Sequence, residues 1–143
     1  MINKEIAYGE VLKLVRKFGT ADPYRICKEL DIEILEMDLG ETTLGQRVTN
    51  RRCSVILVEE TLSEAWKRFV VAHELGHCRL HKGFSTAFYR QTNAYKMINW
   101  IEVEANLFAL ELLKEGIDDN GSLSKYEVIE YLGLPHDLEF FLK

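Results

Sequence analysis

Two histidines four residues apart, with a glutamate directly after the first, constrain this chain more than any other feature: His73-Glu74-Leu75-Gly76-His77. At about 100° per residue of helix, His77 lies one turn along and roughly 40° around from His73, so both rings can reach one ion. Glu74 sits on the adjoining side, where its carboxylate can take a proton from water rather than bind the ion itself. The pattern therefore demands a helix through residue 77, and the residues upstream supply one. Thr61 with Glu64 three positions on reads as a capping box. Leu62, Ala65, Trp66, Phe69, Val70 and Ala72 follow at mostly helical spacing, and no proline interrupts the run before Pro135. We expect a helix over roughly 62 to 81.

A catalytic zinc ion commonly has three protein ligands and one open position for water. The stretch from Trp100 to Leu113 offers the third ligand. On a helical wheel, Glu104 is flanked by Trp100, Ile101, Leu107 and Phe108, which puts a carboxylate inside an apolar stripe. An ionised carboxylate buried there costs several kcal/mol unless a cation accompanies it, so Glu104 is the preferred ligand. Glu102 points to nearly the opposite side, beside Ala105, Asn106, Ala109 and Leu113, and shares the metal only if the helix starts later. His81 extends the series His73, His77, His81. The outer two are about 12 Å apart along the axis, so all three cannot bind one ion. His81 is better placed to orient a ligand, or simply to end the helix near its negative pole.

The residues Asp22-Pro23 with Ile26 and Leu30, the segment from Arg68 to His81 containing Ala-His-Glu-Leu-Gly-His, and Glu104-Ala105-Asn106 with Phe108-Ala109 together resemble the ImmA/IrrE family of small metallopeptidases. The similarity runs over roughly residues 20 to 115. The resemblance implies that the glutamate of the Glu-Ala-Asn triplet, Glu104 here, is the third zinc ligand. It also implies the activity and its setting: a zinc-dependent endopeptidase of a phage or mobile element, an antirepressor whose substrate is a helix-turn-helix transcriptional repressor. Within that reading His73, His77 and Glu104 hold Zn2+ and Glu74 is the catalytic base. A non-cleaving, zinc-stabilised module that sequesters a repressor is the alternative. A structural zinc domain would need a fourth ligand such as Cys78 or His81, and neither is well placed.

The order of elements bounds the fold. An amphipathic helix runs from about Lys4 to Phe18 and is closed by Gly19, and a second begins at Asp22-Pro23 and ends near Leu30. Ile32 to Met37, Leu44 to Val48 and Ser54 to Val58 read as strands, the last two joined by a turn at Thr49-Asn50-Arg51-Arg52. Gly83 to Arg90 is either extended or a loop. A linker at Gly116 to Ser122 precedes a helical tail of about 122 to 143, with a helix from Ser124 to Leu132 and a short one after Pro135. Tyr126, Val128, Ile129, Tyr131 and Leu132 suggest that the tail packs on the core, with recognition of the repressor as the alternative. We expect an α+β, zincin-like fold: one domain over 1 to 143, with about three strands in an antiparallel or mixed sheet on the metal-bearing helix. A substrate could add to a sheet edge as an extended strand.

Composition excludes several partners. A net charge of −5 argues against direct nucleic acid binding, and the cluster Arg47, Arg51, Arg52 reads as a solvated hairpin tip, with docking of an acidic partner as the lesser alternative. No apolar run is long enough for a membrane span, and the N-terminus lacks the apolar core of a signal peptide. Three cysteines at no metal-like spacing make a disulfide framework improbable, with Cys78 as core filler, and fit a reducing cytoplasm. Tyr89, Tyr95 and His81 are candidates to stabilise an oxyanion, with His81 preferred.

Overall fold

The computed structural model describes residues 3–49, 51–82, 87–89, 100–119 and 121–142, without the side chain of Tyr89. Helix α1 spans Lys4–Phe18, capped by Asn3 and ended by Gly19 in the left-handed conformation. Helix α2 spans Pro23–Glu29, with the Asp22 side chain accepting from the Tyr24 N–H and proline at its first position. Three strands follow: β1 at Glu33–Met37, β2 at Thr43–Thr49 and β3 at Cys53–Glu59. Helix α3 spans Glu64–Leu80, β4 is the pair Phe88–Tyr89, and α4 spans Trp100–Glu115. Helix α5, Lys125–Leu132, carries a complete capping box between Ser124 and Glu127, and a 3-10 turn covers His136–Phe141.

The sheet is mixed, in the order β1-β3-β2-β4. Strand β1 lies parallel to β3, while β2 is antiparallel to both β3 and β4. This is the expected α+β arrangement, with a fourth, two-residue strand added at the β2 edge. Residues 83–86 and 90 of that segment fall outside the described residues. Helix α3 packs on β2, β3 and α4, and α1 packs on α4. One apolar core runs from Ala7 through Ile56, Phe69, Leu75 and Phe108 to Leu142. Of the tail, Val128 and Ile129 enter this core, whereas Tyr126 and Tyr131 lie exposed.

Two expectations change in detail. Helix α3 is capped by Ser63, whose side chain accepts from the Trp66 N–H, while the Thr61 hydroxyl donates to Glu59. The capping role passes to Ser63 because the buried Glu59 carboxylate engages both the backbone and the hydroxyl of Thr61. The second change concerns cysteine: Cys53 at the start of β3 is disulfide-bonded to Cys78 on α3, with Cα atoms 5.6 Å apart. The hairpin folds its β3 end over the late turns of α3, a proximity that linear spacing does not encode. Cys27 is free and buried, and burial pushes its thiol up to about 12.

Two glycines set the spacing of the layers around α3. A Cβ on Gly76, between the two motif histidines, would lie 2.9 Å from Phe108 Cδ1, so its absence lets α4 lie close against α3. A Cβ on Gly45 would lie 2.5 Å from Val70 Cγ1, so β2 crosses α3 at the same close range. The site forms between these two contacts.

Candidate metal centre

His73 and His77 are fully buried on α3 where it meets α4. Their Nε2 atoms are 3.1 Å apart, and Glu102 Oε2 on α4 lies 2.9 Å from the first and 3.2 Å from the second. Among the described residues these three form the group whose donor atoms converge closely enough for one ion. The outward-facing ring nitrogens fix the tautomers. Asn106 Oδ1 accepts from His73 Nδ1–H at 2.8 Å. His81 Nε2–H donates to Glu104 Oε1 at 2.8 Å, so His81 Nδ1 is an acceptor for His77 Nδ1–H at 2.9 Å.

In the neutral rings, then, both Nε2 atoms present lone pairs to each other and to a carboxylate oxygen. Burial holds His77 neutral, its pKa pushed down to about 3. Three acceptors converging without a proton among them repel unless a cation sits between them, and two imidazoles with one carboxylate suit a divalent metal ion. The donor set therefore fits such an ion.

The expected third ligand, Glu104, lies elsewhere. Its Oε1 holds His81 and its Oε2 accepts the Asn3 backbone N–H at 2.6 Å, tying the N-terminus of α1 to the back of the site. Apolar neighbours on a helical wheel single out Glu104 only if α4 has a wet side. Helix α4 has no such side from Glu104 to Leu113: every residue in that run is buried. An apolar setting therefore does not distinguish its two faces, and Glu102, two positions earlier, is the carboxylate that reaches the histidines. His81 falls in the orienting position expected of it, which removes it as an oxyanion donor. Tyr95 lies outside the described residues.

Glu74 is completely buried on the side of α3 that faces β2. Burial pushes its carboxyl up, against the pull of His73 and Arg47. Its Oε2 accepts from Arg47 Nη1 at 2.6 Å, while Oε1 is buried without a hydrogen-bond partner. Arg47 thus leaves the solvated tip assigned to it: on β2 it alternates inward with Gly45, while Gln46 and Val48 face out. Arg51 and Arg52 are exposed, as expected. Phe88 of β4 stacks on the His73 ring, centroids 3.8 Å apart.

Asn106 and Arg47 were not identified from the sequence. The signal for Asn106 was its i, i+4 spacing from Glu102, which puts both on one side of α4. For Arg47 it was the period-two match with Gly45.

The chain is similar to known proteins over most of its length. Residues 27–114 match the Peptidase_M78 family, described as the IrrE N-terminal-like domain. The chain is 33% identical over 103 residues to the uncharacterized immunity region protein 2 of Bacillus phage phi105, covering 72% of this chain and 65% of that protein. It is also 33% identical over 134 residues to the metallopeptidase ImmA of Bacillus subtilis strain 168, covering 88% of this chain and 77% of that one. The chain thus spans just under two thirds of the phage relative's length. No solved structure matches it. The chain belongs to the Peptidase_M78 family of IrrE N-terminal-like domains.

Proposed function

We propose that this protein is a zinc-dependent endopeptidase in which His73, His77 and Glu102 bind the ion and Glu74 is the general base. The observation that carries the proposal is Glu74 Oε1, a buried carboxylate oxygen without a bonding partner on the helix that carries the two histidines. A module that merely bound zinc for stability would gain nothing from burying that acid, at a cost of several kcal/mol. A zinc ion in the site would supply a Lewis acid that acidifies water and polarises a carbonyl oxygen. Glu74 Oε1 takes the proton of the attacking water and then delivers it to the departing amide nitrogen. Asn106 and the His81–Glu104 pair keep the two imidazoles in the tautomers that ligation requires.

The substrate we infer is a helix-turn-helix repressor, with the protein acting as an antirepressor in a phage or mobile element. The likeness to a phage immunity-region protein and to ImmA supports this reading. Such a substrate argues for a cytoplasmic setting, although a bond like Cys53–Cys78 is uncommon there. No described helix is long and apolar enough to cross a membrane. The continuous core from Ala7 to Leu142 supports treating the chain as one folding unit. Incubating the purified protein with the repressor encoded beside it, with and without a chelator, tests the reading. Chelator-sensitive fragments are expected. A stable complex without fragments would instead favour the sequestering module.

A further inference from the structure

The general base is held by a residue from the sheet. Glu74 ends in a carboxylate whose last torsion is soft, so two oxygens can exchange places unless something fixes one of them. Arg47 Nη1 holds Oε2 at 2.6 Å, and both side chains are sealed from solvent. Gly45, two residues before Arg47 on the same face of β2, lies beside the other oxygen: a Cβ there would stand in ordinary contact with Oε1, 3.4 Å away. A charge-assisted bond in a dry setting is strong and directional.

We propose that Arg47 is a positioning residue for the general base: by fixing Oε2 from β2, its guanidinium reserves Oε1 as the oxygen that exchanges protons with the substrate water. The inference rests on the peptidase reading and assigns the sheet a part in the chemistry beyond packing. A merely structural ion pair would fasten β2 to α3 and leave the choice of oxygen indifferent. Lysine supplies the charge without the planar fork, so Arg47→Lys should serve in part and Arg47→Met should not.

The test uses the full chain loaded with cobalt(II) and read by its visible absorption, with acetohydroxamic acid as the probe, which binds a protein-held metal as its anion and gives its proton to a neighbouring base. In Arg47→Met, metal affinity should stay within about threefold of wild type because, among the described residues, the hydrogen bond of Arg47 goes to Glu74 and not to His73, His77 or Glu102. Hydroxamate affinity should fall roughly tenfold or more for the loss of one charged hydrogen bond, with Arg47→Lys recovering part of it. If Arg47→Met does not fold, Arg47→Lys decides alone: weaker hydroxamate binding at unchanged metal affinity supports the role. Variants that bind hydroxamate as wild type does, or that lose metal and hydroxamate affinity in proportion, would overturn it. Wild-type protein that takes up metal but ignores hydroxamate would overturn the peptidase reading as well, which separates the two failures.

Discussion

The two flanks of the metal centre are built on different principles. Behind the imidazoles, between α3 and α4, the polar groups form a chain of hydrogen bonds: Asn106 to His73, and Glu104 to His81 to His77, anchored at the far end by the Asn3 backbone. Behind the base, between α3 and β2, the described residues supply one buried ion pair, Arg47 with Glu74. The first flank distributes orientation over several bonds, so losing one leaves the others. The second concentrates it in one contact, and breaking that contact strands a buried charge. Ligand geometry should therefore degrade by degrees, whereas the base should fail at once.

The most severe test of that contrast is Glu74→Gln. It should reduce cleavage of a susceptible repressor by roughly 10²–10⁴-fold, the usual worth of a general base, while zinc content by elemental analysis stays at wild-type level. Residual activity near wild type would remove Glu74 from the chemistry. Next comes the ligand itself: Glu102→Ala should weaken zinc binding by more than roughly a hundredfold, beyond what loss of an orienting partner costs. On the graded flank, Glu104→Gln and Asn106→Ala should each cost roughly 10–100-fold in zinc affinity by competition with a chromophoric chelator. An all-or-none loss in either would break the contrast.

Smaller effects sharpen the picture of the interlayer contacts. Gly76→Ala forces a Cβ to within 2.9 Å of the Phe108 ring, and such overpacking costs typically about 1–3 kcal/mol in denaturant unfolding. An unchanged midpoint would mean that α4 can retreat without penalty. The metal-free protein should also lose stability in mild acid. Burial depresses His77 from its ordinary 6.5 to about 3 and lowers His81 as well. As pH falls below 6.5 the unfolded chain takes up protons that the folded one refuses, so stability present at pH 7 declines toward pH 5. Thermal melts in chelator at those two values should show the lower Tm at pH 5, and equal melts would contradict the neutral assignment of these rings.

How far the site can be read from the sequence differs between these flanks for a physical reason. Helix α3 announces itself because its ligands sit at fixed i, i+4 spacing on one element, so His73, Glu74 and His77 need no tertiary information. The sheet order and the caps at Asn3 and Ser63 depend on contacts that the pattern only brackets, yet strands, helices and the α+β class follow from period and punctuation. Glu102 against Glu104 cannot be decided in that way. A wheel separates inside from outside, and α4 has no outside for most of its length, so burial stops discriminating between two glutamates two residues apart. Arg47 is hidden for the converse reason: arginine near a turn is nearly always solvated, and only the register of β2 over Glu74 makes it internal. The Cys53–Cys78 bond likewise depends on where a hairpin comes to rest.

Zinc stoichiometry of Glu102→Ala and Glu104→Ala, measured side by side on folded protein at micromolar zinc, tests the account most directly. We predict that Glu104→Ala still holds one ion per chain, more weakly, while Glu102→Ala holds none. An ion retained by Glu102→Ala and lost by Glu104→Ala would contradict the arrangement of His73, His77 and Glu102 around a single metal.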